Sequence, residues 1–197
     1  MVYRRFIKRI LDFLMAIVLF VSLFIPMCIV SLAIKLTSKG PVFFIQERYG
    51  RNSRPFKLYK FRSMLDTAPE ISNSHFNDIK SYITPLGMFI RSTSIDELPQ
   101  LWNIIKGDMS FIGPRPLAVT DEKVLSLRKT NGADSVLPGI SGLAQVHGRN
   151  NITDEDKARY DAIYASKVTF HLDMLIIFKT IFYTIKGTGV FNDNVSK

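Results

Sequence analysis

The 197-residue chain has one cysteine and three histidines. That excludes a disulfide framework and a Cys/His zinc cluster. Neither GxxxxGK[ST] nor GxGxxG occurs, so the two commonest glycine-rich nucleotide cradles are missing. No internal repeat or low-complexity segment is visible, and 47% hydrophobic residues exclude a disordered chain. Acidic residues are scarce in the first third. Residues 1–64 hold 12 Lys/Arg and 2 Asp/Glu, a net +10, whereas residues 65–197 balance to −1. The excess implies an anionic partner: nucleic acid, membrane lipid or a phosphorylated substrate. Its confinement to one end argues against a nucleic-acid surface spread over the fold.

That basic third also carries the longest apolar run, Phe13 to Ile34, 22 residues without a charge. As a helix it would measure ~33 Å at ~1.5 Å per residue, enough for a bilayer core of ~30 Å. Arg4, Arg5, Lys8 and Arg9 precede it, and Lys35 and Lys39 follow. Three arrangements fit. A spanning helix suits the length, but two basic flanks give no orientation. A secretory signal suits the basic start, with Ser31-Leu32-Ala33 as a cleavage site, but the run exceeds the usual length. A re-entrant hairpin suits Pro26, which kinks a helix and lets both basic flanks meet one anionic lipid surface.

Residues 42–45 and 56–62 read as strands around a turn at 49–55, a small hairpin with basic residues on one side. Residues 66–82 are polar and loop-like. Leu86, Phe89 and Ile90 recur at helical spacing. The pattern predicts further helices over 96–106, ended by Gly107, and over 118–129, 154–165 and 172–185. Residues 138–142 read as a turn and 143–146 as a short strand. The fold class is α+β, helix-dominant. The basic start and the apolar run set residues 1–38 apart from a body over 39–197. The helix over 172–185 and residues 85–90 are candidates for amphipathic interfacial helices.

The segment from Arg91 to Trp102 carries the most chemistry. On structural grounds alone Ser94 and Glu97 form a capping box, and Pro99 suits a first helical turn. Yet Asp96 and Glu97 are adjacent carboxylates, able to hold a divalent metal or to act as nucleophile and partner. Arg115, set between Pro114 and Pro116, suits an anion clamp. Lys60, Arg62 and Arg91 add cations. Carboxylates among cations suit phosphoryl transfer.

These segments together resemble one known family. They are Lys8-Arg9-Ile10-Leu11-Asp12, Gly40-Pro41-Val42-Phe43-Phe44, Tyr59-Lys60-Phe61-Arg62-Ser63-Met64, Ser94 to Leu101, Lys106 to Pro116, Pro138 to Asn150, and Leu172-Asp173. In this order they are similar to the bacterial sugar transferases, small monotopic polyprenol-phosphate phosphoglycosyl transferases. The resemblance implies transfer of a sugar-1-phosphate from a UDP-sugar to undecaprenyl phosphate, with release of UMP, as the first membrane step of capsule, exopolysaccharide or glycoconjugate synthesis. It implies Mg²⁺ and a covalent phosphosugar–aspartate intermediate. By motif position Asp96 is the nucleophile and a metal ligand, and Glu97 its partner. Lys60, Arg62, Arg91, Arg115, Arg149 and Asp173 fall to substrate binding or site support. The resemblance makes residues 1–38 a basic start and a re-entrant inner-membrane helix kinked at Pro26, and 39–197 a catalytic domain on the cytoplasmic face. The partners become the two substrates and anionic lipid, without nucleic acid, and a homo-oligomer stays open. Ile25-Pro26 departs from the family's common Ser-Pro, and His147 stands where many relatives carry Asn. Two rival readings are a metal-dependent nucleotide-sugar hydrolase and a basic, membrane-anchored lipid-binding module.

Overall fold

The computed structural model describes residues 2–68, 79–148 and 152–186. It opens with a π-helical turn, Tyr3–Ile7, that runs into α1 (Lys8–Ser22); α2 (Phe24–Thr37) follows. The two helical segments bend by 61° at Leu23. Pro26 is the cause. It has no N–H for the carbonyl of Ser22, and its ring crowds that carbonyl, so α1 ends there. Among the described residues no single helix is long and apolar enough to cross a membrane; the bent pair meets that test only together. Its outer faces are apolar and open to solvent, with Ile25 71% and Leu36 76% exposed.

The hairpin is present and longer than expected. β1 (Phe43–Tyr49) pairs antiparallel with β2 (Pro55–Phe61), Phe43 opposite Phe61 and Tyr49 opposite Pro55. Cross-strand partners share a face of the sheet. One face buries Leu58 against Ala16 of α1 and against Leu101 and Ile104. The other buries Phe61 against Met27 and Ile34 of α2 and against Ile90. The hairpin is thus held on both sides, and its position relative to the bent helices is set by packing.

α3 (Pro85–Ser92) starts on Thr84, whose Oγ1 accepts from the Gly87 amide at 2.8 Å. The helix expected over 96–106 is split. Ile95–Glu97 form one 3₁₀ turn, and α4 (Gln100–Lys106) ends on left-handed Gly107. β3 (Ser110–Ile112) pairs parallel with β4 (Gly139–Ser141). This pair corrects the expected strand at 143–146; residues Gln145–His147 instead form a 3₁₀ turn. Parallel pairing needs close backbone approach. A Cβ on Gly113 would lie 2.2 Å from the Leu137 carbonyl oxygen, so only glycine fits. α5 (Glu122–Asn131) begins later than expected because the Asp121 carboxylate accepts from the Ala118 amide at 2.8 Å and holds a loop there. α6 (Asp154–Ser166) and α7 (Phe170–Ile185) are capped by Thr153 and Thr169.

α7 is neither fully buried nor fully exposed. Ile176 is sealed into a core with Ile112, Leu143, Val146 and Tyr164. Phe178, Ile181 and Phe182 lie open on another face. Asp173 projects inward from the same helix and joins both ends of the chain. Its carboxylate accepts from Tyr3 Oη at 2.6 Å and Tyr164 Oη at 2.7 Å, and pairs with Lys8 Nζ at 2.9 Å. Lys8 also lies 3.6 Å from Asp12, which accepts from Ser110 Oγ at 2.7 Å. Burial, reinforced by the neighbouring Asp173 carboxylate, drives the Tyr164 phenol far above its ordinary value, so it stays a donor.

Candidate active site

Asp96 and Glu97 sit on the 3₁₀ turn between α3 and α4. The expected capping box is not formed. Ser94 has a left-handed backbone, φ 58°, and its side chain makes no cap bond. The Glu97 amide instead donates to the Ser94 backbone carbonyl at 3.1 Å. A left-handed serine costs ~1–2 kcal/mol. The conformation turns the chain between α3 and the 3₁₀ turn that carries the two carboxylates.

Their environments differ. Glu97 is held by Lys60 Nζ of β2 at 2.7 Å. Asp96 makes no hydrogen bond among the described residues. Burial pushes its carboxyl up to about 6, the Glu97 charge adds to this, and Lys60, Arg91 and Arg115 oppose it. Five charged groups therefore converge: Asp96 and Glu97 with three cations. The net field is positive, as an anionic ligand requires.

Three elements fix this group. Asn103 of α4, fully buried, accepts from the Tyr59 amide at 3.1 Å and donates to the Lys57 carbonyl at 2.7 Å. It thereby sets the carboxylate turn against the strand that carries Lys60. Arg91 leaves the last turn of α3. Arg115 is exposed between buried Pro114 and Pro116. Its backbone is tied down in sequence: Pro114 O accepts from Gly139 N at 2.9 Å, and Leu117 O from Tyr49 N at 2.9 Å. Arg115 O itself accepts from Arg128 Nη1 at 2.8 Å. Arg128 is in turn held by the buried Asp161, 2.6 Å away. Asn103, Arg128 and Asp161 are positioning residues that carry no motif-level chemistry, and their partners lie far off in sequence.

Two of the expected substrate contacts lie elsewhere. Arg62, 6% exposed, donates from Nη2 to Ser38 O at 3.0 Å and Ser38 Oγ at 2.7 Å. It ties the end of β2 to the end of α2, while its buried Nε and Nη1 have no hydrogen-bond partner among the described residues. Asp173 is closed into the network with Tyr3, Lys8 and Tyr164 described above. Arg149 falls outside the described residues. His147 stacks on Tyr160, ring centroids 4.7 Å apart, with Nδ1 2.8 Å from the Leu143 carbonyl oxygen. That is a structural use of the ring.

A divalent metal would find few ligands in the chain alone. Among the described residues no group of three or more His, Cys, Asp or Glu side chains could hold one. Asp96, free of hydrogen bonds, is the available donor, and Glu97 is paired. This fits Mg²⁺, which is commonly held by one or two carboxylates with substrate phosphates and water completing the shell.

The fold and site define a class: a helix-dominant α+β body, packed on a bent apolar helix pair, that sets a carboxylate among cations. The chain belongs to the bacterial sugar transferase family, whose pattern matches residues 3–187. It is 40% identical over 184 residues to UDP-glucose:undecaprenyl-phosphate glucose-1-phosphate transferase of Klebsiella pneumoniae, covering 89% of this chain and 39% of that protein. It is 41% identical over 190 residues to UDP-N-acetylgalactosamine-undecaprenyl-phosphate N-acetylgalactosaminephosphotransferase of Aeromonas hydrophila, covering 93% and 45%. To the uncharacterized sugar transferase EpsL of Bacillus subtilis (strain 168) it is 38% identical over 188 residues, covering 95% and 92%. The chain thus spans less than half the length of the first two and nearly all of the third.

Proposed function

We propose that the protein transfers a sugar-1-phosphate from a UDP-sugar to undecaprenyl phosphate and releases UMP. The observation that carries this is the split of the carboxylate pair: Glu97 bound to Lys60, and Asp96 without a hydrogen-bond donor among the described residues but under the charges of Arg91 and Arg115. Relatives named for this transfer support it.

In the proposed first step an Asp96 carboxylate oxygen forms a bond to the sugar-bearing phosphorus. The bond from that phosphorus to the bridging oxygen breaks, and UMP leaves with the electron pair. In the second, an oxygen of the lipid phosphate bonds to phosphorus and the aspartyl oxygen leaves, restoring the carboxylate. Two anions must meet in each step, and Lys60, Arg91 and Arg115 reduce that repulsion. Mg²⁺ held by Asp96 together with substrate phosphates would add Lewis-acid charge neutralisation. Glu97, fixed by Lys60, orients the pair.

The carboxyl of Asp96 must be ionised to attack. Because burial raises it to about 6, kcat/KM for the donor should rise with pH up to about 6 and level off above it. A profile flat from pH 5 to pH 7 would show that the Asp96 carboxyl is not raised to about 6 in the reacting enzyme.

The basic flanks and apolar bent pair support a re-entrant anchor on the cytoplasmic face of the inner membrane, with the catalytic body in the cytoplasm. Single cysteines placed at each terminus, in a Cys28→Ser background, should react with an impermeant maleimide only after the inner membrane is opened. Labelling of the N-terminus from the periplasm would indicate a spanning helix.

A further inference from the structure

Arg48 has no place in the chemistry described so far. It sits near the end of β1, opposite Phe56, and shares a sheet face with Lys60, which lies opposite Phe44. Its Nη2 donates to Gln46 Oε1, which fixes the side chain along the strand. Its Nε is buried and has no hydrogen-bond partner among the described residues. A buried guanidinium donor without an acceptor is costly. Among the described residues Arg48 forms no ion pair.

The next residue, Tyr49, is bonded through its amide to Leu117 O at 2.9 Å, so this end of β1 is stitched to the loop that carries Arg115. Burial weakens the charged form of Arg48, the Arg115 charge weakens it further, and Asp121 only partly compensates. Asp121 is itself engaged by the Ala118 amide at 2.8 Å. Two guanidinium groups are therefore held near each other with too little negative charge between them. Arg115 thus acts both on Asp96 and on Arg48, whereas Arg48 is not among the charges that act on Asp96.

We propose that Arg48 and Arg115 form the seat for the phosphate monoester of the departing nucleotide, Arg48 as the inner cation and Arg115 as the outer one. This rests on the sugar-phosphate transfer reading above. A nucleotide-sugar diphosphate has two phosphorus centres. If Asp96 attacks the sugar-bearing one, the other gains charge as the bridging bond breaks. A fixed pair of guanidinium groups there favours that charge. The lipid acceptor is also a phosphate monoester, but the geometry favours the soluble one. β1 leaves the apolar end of the molecule beside exposed Phe43, Phe44 and Ile45, and Arg48 lies ~17 Å further along the strand from Phe43 at ~3.3 Å per residue.

The test is calorimetric binding to the full chain in nanodiscs, with UMP, uridine and farnesyl phosphate as probes. Arg48→Gln should weaken UMP binding by roughly 10- to 100-fold and leave uridine and farnesyl phosphate binding unchanged. Arg48→Lys, which keeps a charge, should lie between. Equal loss for UMP and uridine would mark a structural role and overturn the proposal. So would unchanged UMP binding in Arg48→Gln, or a loss confined to farnesyl phosphate, which would assign the seat to the acceptor. If the unaltered chain bound no UMP at all, the transfer reading itself would fail, and this one with it.

Discussion

Asp96→Asn should lower sugar-phosphate transfer by about 10⁴-fold or more, the scale seen when a covalent nucleophile is removed. The same change should leave the fold intact or steadier. An Asp carboxyl raised to about 6 is less acidic in the fold than in the unfolded chain. Its contribution to stability is present below the unfolded value near ~4 and is lost as pH rises through about 6. At pH 7.5 the native protein therefore holds an unfavourable buried charge, and Asn removes it. A melting temperature equal to or above that of the unaltered protein, together with lost turnover, separates chemistry from structure. A variant that turns over at more than a tenth of the original rate would remove Asp96 from the role of nucleophile.

Asp173→Ala should act in the opposite way. Its carboxylate is 2% exposed and takes three donors, from Tyr3, Lys8 and Tyr164. Truncation leaves Lys8 as a poorly solvated charge and two phenols without their acceptor. Breaking such a buried pair costs ~3–5 kcal/mol, which for a chain of this size lowers Tm by roughly 10 °C. The lesion falls on the joint between the N-terminal helix and α7, so the bent pair should loosen from the body before the hairpin core melts. Asp173→Asn keeps an acceptor for the phenols and should cost less. Loss of UMP binding in Asp173→Ala without any fall in Tm would instead place Asp173 at the substrate.

Local signals in the sequence carried much of this. Pro26 marks the bend because a missing N–H acts on a carbonyl four residues back, and that effect is local. The strand after the turn at 49–55 partly alternates apolar and basic residues, and the hairpin joins neighbours in sequence. Gly107 ends α4 in the left-handed form that a helix-terminal glycine predicts. Lys60, Arg91 and Arg115 were legible as cations near Asp96 from motif order, and the fold brings all three to act on it.

What stayed illegible was non-local or too short to show a period. β3 and β4 are three residues each and pair in parallel across the chain, so no alternation reveals them. The Ser94–Glu97 spacing matches a capping box, yet Ser94 is left-handed and its side chain makes no cap bond. Arg62 and Arg48 look alike as basic strand positions. One donates to Ser38 yet keeps Nε and Nη1 without a partner among the described residues, and the other, bonded to Gln46 at the strand end stitched to the Arg115 loop, keeps Nε without one. Only the register of the hairpin against its neighbours distinguishes them.

The central claim is that Asp96 carries the phosphosugar between two separate half-reactions. Intact-mass spectrometry tests it most directly. The full chain in nanodiscs is mixed with Mg²⁺ and a panel of UDP-sugars, without lipid acceptor, and quenched. With the right donor the protein should gain the mass of one sugar phosphate, mapped to the peptide containing Asp96. An equal amount of UMP should appear, and added undecaprenyl phosphate should then remove the adduct. Donor turnover that requires the lipid from the outset, with no adduct and no UMP in its absence, would contradict the account.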